Sequence, residues 1–284
     1  MMLGAFQYER PASLDEALRQ AAAVPGARWL AGGMSLLPLM KMELADPPAL
    51  VDLAGVADLV GVQEDGGALR VGAMTRHAEL AEHPLVARHA PLLAAAASQV
   101  GDPQVRHRGT IGGSLAHADP AADLPAAVLA LDATIEVASP RGRREIPAKD
   151  FFLGPLMTAL EPDDVIVAVV VPQRGAHRQA YHKRPHPASG YAVVGIAASV
   201  LREADRVASA AIAVTGVASH AFRARRAEEL LTGQVMTDAL LAEVASVVAS
   251  GQEVWGDLYA SADYRRHLAS LTTRQVLERL WADR

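Results

Sequence analysis

The sequence predicts an α+β fold in two parts, and three observations carry that prediction. The chain has 284 residues, more than a single domain of ~100–200 residues needs. As far as Pro172, short apolar runs alternate with helical patterns. Beyond it, strand patterns follow one another with no helix between them, which indicates an antiparallel sheet, and helical patterns close the chain.

Residues 28–31 read as a short strand ending at Gly32-Gly33. Ser35 is placed to cap the next helix, because Pro38 then falls in its first turn, where a missing N–H is tolerated. A second strand spans 50–53. Residues 59–63 and 69–73 flank Gly66-Gly67 and form a hairpin, since paired glycines supply the positive φ of a tight turn. Helical patterns cover 77–82 and 91–100. The polar, glycine-rich segment 101–119 reads as a loop before a helix capped by Asp119, with Pro120 at its first position. A strand at 134–138, a turn at 140–142 and the β-branched run 165–171 complete the first part. Residues 173–178 read as a linker. Strands at 179–183, 191–201 and 207–217 follow, then helices at 224–231, 237–250 and 261–282.

Composition narrows the function. Hydrophobic residues make up 51% of the chain, enough for a sizeable core. A net charge of −5 and an aromatic content of 4% argue against nucleic-acid binding, by phosphate contact or by base stacking. Zero cysteines exclude disulfides, thiol nucleophiles and cysteine-held iron–sulfur or zinc sites on this chain. The longest apolar runs fall short of the ~20 residues that cross a bilayer, so the expectation is a soluble cytoplasmic protein with no transmembrane segment.

Two short segments carry the chemistry. Ala31, Gly32, Gly33, Met34 and Ser35 occupy a strand-to-helix junction; Thr110, Ile111, Gly112, Gly113 and Ser114 stand before a second helix. Glycines let backbone N–H groups come close to an anion, and a helix N-terminus favours negative charge. Either pair alone is an ordinary turn, but two of them, each with hydroxyl residues attached, suit one shared diphosphate ligand. Neither the dinucleotide-binding nor the P-loop spacing is present.

Asp123 stands one turn beyond Asp119, either balancing a helix dipole or accepting hydrogen bonds from a ligand. His117, Asp119 and Asp123 contain metal-ligating groups, but Asp119 reads better as a cap, and no metal is expected. Lys183 is one of only three lysines and, at a strand end, is placed to snorkel outward. Tyr191 opens the next strand, an ordinary core position. No nucleophile elbow appears.

These residues resemble the FAD-binding medium subunit of the molybdenum hydroxylases, the carbon monoxide dehydrogenase and xanthine dehydrogenase family. The resemblance runs over nearly the whole chain. It rests on Ala-Gly-Gly-Met-Ser at 31–35, on Thr-Ile-Gly-Gly at 110–113, and on Ser114 with the run 116–123. Asp-Pro-Gln-Val-Arg at 102–106 and Ser-Ala-Asp-Tyr-Arg at 261–265 support it.

The resemblance implies an N-terminal FAD-binding domain over 1–175, in two α/β subdomains of about 1–55 and 56–175. A C-terminal domain of antiparallel sheet and helical bundle would cover 176–284. Both glycine segments would hold the FAD diphosphate through backbone amides. Asp123 would bind polar groups of the cofactor, and Ile166 would lie against the flavin. Lys183 and Tyr191 would sit near the isoalloxazine, with Tyr191 covering one ring face. The [2Fe–2S] clusters and molybdenum cofactor would belong to a small iron–sulfur subunit and a large molybdopterin subunit, in a dimer of heterotrimers. The chain would then be an electron-transfer oxidoreductase subunit with NAD, a quinone or oxygen as acceptor. No side chain on it would act as acid, base or nucleophile. Two rivals are a stand-alone FAD oxidoreductase and a cofactor-free assembly subunit. Ser114 replaces a common Asn of the family, and 184–190 departs from the carbon monoxide dehydrogenase pattern, which speaks against carbon monoxide as the substrate.

Overall fold

The computed structural model describes residues 4–282. Three strands, β1 (Gln7–Glu9), β2 (Arg28–Leu30) and β3 (Ala49–Asp52), form a small parallel sheet in the order β1-β3-β2. Helix α1 (Leu14–Ala23) joins the first two, and α2 (Leu36–Lys41) precedes the third. The start of α1 is set by a capping box: Ser13 Oγ accepts from the Glu16 N–H, and Glu16 Oε2 accepts from the Ala12 N–H at 2.8 Å.

The second sheet is antiparallel. Strands β4 (Val62–Asp65) and β5 (Ala68–Gly72) form the hairpin predicted at Gly66-Gly67, where both φ values are positive. Five helices follow: α3 (His77–Glu82), α4 (Pro84–His89), α5 (Pro91–Ser98), α6 (Pro103–Arg108) and α7 (Ile111–His117). Segment 101–119 is thus two short helices rather than a loop. The next helix, α8 (Asp123–Ala130), starts three residues later than expected. Asp119 does not cap it; its carboxylate accepts from the Ala121 N–H and closes an isolated turn instead.

The sheet is completed by β6 (Thr134–Ser139) and β7 (Gly142–Pro147). The short pair β8 (Phe152–Gly154) and β9 (Met157–Thr158) stands apart, and β10 (Val165–Pro172) returns to the centre, giving the order β4-β5-β10-β6-β7. A bulge falls between Ile166 and Ala168. It leaves residue 167 out of the β6 ladder, and the Val167 carbonyl accepts from the Ala73 N–H at 2.9 Å.

The last part has the predicted antiparallel sheet, β11 (Arg178–Pro185), β12 (Ala192–Glu203), β13 (Arg206–Thr215) and β14 (Phe222–Arg223), in that order. Helices α9 (Arg225–Leu231), α10 (Asp238–Ser246) and α11 (Ala262–Ala282) cover one face. The other face receives α5 and α8 from the first part. All eight residues of α8 are buried. That fits a helix apolar on every side and held between two layers. The cross-strand pair Ala197–Ala213 lies in the same core cluster as α5 and α8, and its small side chains admit the helices closely. Among the described residues no helix is long and apolar enough to cross a membrane.

Candidate functional site

One large cavity, about 1250 Å³, runs along the junction of the parts. Ordinary small-molecule pockets hold ~300–1000 Å³, so this one suits an extended ligand. Its middle is built from the two glycine segments. In the first, Gly33 has φ +74°, a left-handed conformation that turns the chain from β2 into α2. A Cβ on Gly32 would overlap the Arg108 carbonyl, so the first segment lies backbone to backbone on Arg108–Gly109, just before the second. The N–H groups of Gly32, Gly33, Met34 and Ser35 donate to no acceptor among the described residues. Gly32 and Gly33 are buried, where unpartnered amides are uncommon, and a row of free N–H groups on a cavity wall fits an anionic oxygen. Ser35 stands at the helix N-cap, but its hydroxyl makes no capping bond and remains free.

The second segment differs from expectation. Thr110, not a residue after Ser114, caps the helix, so Gly112 and Gly113 lie in the first turn of α7. Its amides are already bonded within the chain: Ile111 to the Thr75 carbonyl, Gly112 to Ala73, Gly113 to Thr110 Oγ1 and Ser114 to the Thr110 carbonyl. What this segment offers a ligand is closeness. A Cβ on Gly112 would lie 2.6 Å from the Ala73 Cβ, so the turn packs flat on β5. Ile111 points into the core and does not line the cavity.

Asp123, Ile166 and Tyr191 all reach the cavity wall. Asp123 is 5% exposed. Its Oδ1 accepts from the Tyr181 hydroxyl and its Oδ2 from Lys183 Nζ at 2.9 Å. Burial outweighs both partners and pushes this carboxyl up to about 6. Lys183 is buried rather than snorkelling outward, and it does not line the cavity. Its other acceptors are the Gln99 carbonyl, at 2.5 Å, and the Gly190 carbonyl, at 2.8 Å. Three N–H bonds thus have three acceptors within the chain. Lys183 braces Asp123 and the turn before Tyr191 and has no donor left for a ligand. Tyr191 stays 44% exposed at the mouth; burial, then the Asp119 and Asp123 carboxylates, raise its phenol above the usual range. With both Asp123 oxygens committed, His117, Asp119 and Asp123 do not form a metal site.

Three wall residues escaped the sequence reading. Trp29 donates its indole N–H to the Asp164 carbonyl at 2.9 Å. Asp164 is itself buried and paired with Arg144. His77 lines the wall beside Gly109. Asp164 and His77 have no local signature, because each reaches the cavity from a stretch remote in sequence from both glycine segments; Trp29 stands on β2 two residues before the first, and its indole is held by Asp164, far along the chain. Among the described residues Arg28 is the only lysine or arginine on the cavity wall, against five carboxylates: Asp119, Asp123, Glu161, Asp163 and Asp164. An anionic ligand must therefore be met chiefly by backbone amides. The free amides of 32–35, the space kept open by Gly32 and Gly112, and the apolar walls together fit a flavin dinucleotide.

Comparison with known proteins agrees. The family described as the FAD binding domain in molybdopterin dehydrogenase matches residues 4–174, and the CO dehydrogenase flavoprotein C-terminal domain matches residues 179–280. The chain is 36% identical to the nicotine 6-hydroxylase medium subunit of Paenarthrobacter nicotinovorans, over 98% of both chains. It is 37% identical to the carbon monoxide dehydrogenase medium chain of Hydrogenophaga pseudoflava, over 98% of this chain and 97% of that one. The solved carbon monoxide dehydrogenase from Hydrogenophaga pseudoflava superposes with a TM-score of 0.96 at 38% identity, covering 99% of each chain. Quinoline 2-oxidoreductase from Pseudomonas putida 86 gives 0.94 at 37% identity, covering 99% of this chain and 98% of that one. The chain belongs to the FAD-binding medium subunits of the molybdenum hydroxylases, as a subunit of an oxidoreductase.

Proposed function

We propose that the cavity holds one FAD with its diphosphate on the amides of 32–35 and close against the first turn of α7, and its ring at the Asp123–Tyr191 end. The row of unbonded amides in a wall with a single arginine carries this reading. FAD, when bound, supplies the ability to accept and release one or two electrons. The chain's residues orient and shield it. Ile166 and Tyr191 offer apolar surface at the ring end, and the glycines admit the diphosphate arm. On this reading 1–175 is the FAD-binding part and 176–284 the C-terminal part, which the ranges of the two matched families support.

The same reading makes the chain the electron-transfer member of a complex. A small [2Fe–2S] subunit delivers electrons, a large molybdopterin subunit oxidises the substrate, and the whole is a dimer of heterotrimers. NAD, a quinone or oxygen is the final acceptor. An exposed apolar surface supports partners: Trp255, Leu258, Tyr259 and Tyr264 all face outward within ten residues. Their loop is held rigid by Asp257, which accepts from the Tyr259 and Ala260 N–H groups and pairs with Arg265 at 2.5 Å. Near-equal identity to a nicotine hydroxylase chain and a carbon monoxide dehydrogenase chain indicates that substrate choice resides on another subunit. A stand-alone oxidoreductase would need a free base at the ring, and Asp123 is held by Tyr181 and Lys183 instead.

The test is a visible spectrum of the purified chain, with mass spectrometry of whatever acid releases, before and after adding FAD. The expected result is a flavin spectrum, FAD on release, and co-purification with iron–sulfur and molybdopterin subunits. A folded chain that stays colourless in excess FAD, alone and with its partners, overturns the reading.

A further inference from the structure

The setting of His77 is unusual. It is the first residue of α3, it is 4% exposed, and it forms part of the cavity wall. Its Nδ1 is sealed by protein atoms and has no hydrogen-bond partner, so no ligand reaches it, and leaving it unpaired is destabilising. Nε2 is not sealed and has no partner among the described residues, so it is the nitrogen open to the cavity. The imidazole lies against Gly109, where an added Cβ would meet Cδ2 and Nε2 at 2.8 Å. On its other side the Arg108–Gly109 backbone touches Gly32. The ring is therefore one backbone thickness from the free amides of 32–35. Val105, Gly101 and Gly190 continue the wall from there towards Tyr191.

We propose that His77 is a cofactor-binding residue whose Nε2–H donates a hydrogen bond to an oxygen of the phosphate–ribityl arm of FAD. This rests on the FAD reading of the cavity. The arm must run from the glycine segments to the ring end, and His77 stands on that stretch. Arginine is absent there, and beside the hydroxyls of Ser35, Thr110 and Ser114 the His77 imidazole is a side-chain donor on the wall. Burial holds its pKa down, at about 4, so the free protein carries it as a neutral ring able to donate from one nitrogen and accept at the other.

The test separates binding from folding. His77→Phe keeps the volume and removes both nitrogens; His77→Gln keeps a donor. Each full-length variant, with its partner subunits where they are needed for loading, is stripped of FAD and titrated with FAD by flavin fluorescence. Thermal melts of the FAD-free forms are run in parallel. The expected result for His77→Phe is a melting temperature equal to or above wild type, since the unpaired nitrogen is gone, with FAD affinity lower by roughly 10- to 100-fold. His77→Gln should recover part of that affinity. Wild-type affinity in His77→Phe overturns the proposal. So does a lower melting temperature in both variants with unchanged affinity of the folded fraction, which would make the ring a packing element only. A wild-type protein that takes up no FAD overturns the cavity assignment instead.

Discussion

His77 and Asp123 titrate in opposite senses, and their effects on stability oppose each other. Burial lowers His77 from 6.5 to about 4. Below pH 6.5 the unfolded chain therefore binds a proton that the folded chain refuses, and stability falls until about pH 4. At about 1.4 kcal/mol per unit, that is up to about 3 kcal/mol. Asp123 is raised from 3.8 to about 6, so below pH 6 the folded chain takes a proton first and gains stability until about pH 4. Wild-type unfolding free energy should thus dip between pH 6.5 and 6 and change little from 6 to 4. The difference between wild type and His77→Gln, followed by urea melts, should drift in the variant's favour through the whole window from 6.5 to 4. A flat difference would mean His77 is solvated. The glycines give a second prediction. Gly33→Ala strains one left-handed residue and should cost about 1 kcal/mol with the fold retained. Gly112→Val drives a side chain into Ala73 and should lower the melting temperature severely, so FAD loss there would not isolate binding. At this scale the glycine segments were legible because their requirement is local. Lys183, Ile111 and His77 were not, since what each side chain does depends on partners remote in sequence: Asp123, the core under α7, and Gly109.

The elements that sequence made plain are those whose signal is contained within them. The hairpin at Gly66-Gly67 and the long α11 lie where the pattern put them, α11 within one residue at its start. Helix α1 carried a readable capping box at Ser13 and Glu16 that the reading passed over. Strand β7 was hidden by its charge: it is an edge strand reading Gly-Arg-Arg-Glu-Ile-Pro, with only Ile146 buried. Charged edges are how sheets avoid pairing with other chains. Helices α6 and α7 were hidden by Gly109, Gly112 and Gly113, poor helix formers that tertiary packing on Ala73 holds in place. The late start of α8 has a comparable cause. The Thr215 hydroxyl donates to the Ala122 carbonyl at 2.7 Å, with the Pro120 carbonyl 2.9 Å from the same oxygen, and the Gly216 N–H donates to the Pro120 carbonyl at 2.8 Å. The C-terminal sheet thus holds the turn 118–122 out of the helix. Thr215→Val keeps the shape and leaves the Ala122 carbonyl without that donor. It should cost about 1–3 kcal/mol in urea unfolding; no change would mean water replaces the hydroxyl.

At the scale of the whole molecule, sequence suggested two parts joined by a linker at 173–178, and the chain does pass there from one sheet to the next. The parts nevertheless share a core. Tyr181, Ala197, Ala213 and Ala221 belong to the same apolar cluster as α5 and α8. Lys183 and Tyr181, on β11, complete the hydrogen bonding of Asp123 on α8, and this ion pair is buried on both sides. Removing one partner of a buried pair leaves a charge that nothing offsets, typically a loss of 3–5 kcal/mol. Lys183→Met should therefore destabilise the entire chain, and calorimetry of the wild type should give one transition rather than two. A chain ended at residue 175 would keep both glycine segments and Asp123, yet bare the apolar faces of α5 and α8 and strip Asp123 of both partners. Such a fragment should aggregate or bind a hydrophobic dye, and should hold no FAD. If it melts cooperatively near the wild-type temperature, the seam adds little, and the C-terminal sheet is an appendage to a site the first part builds alone.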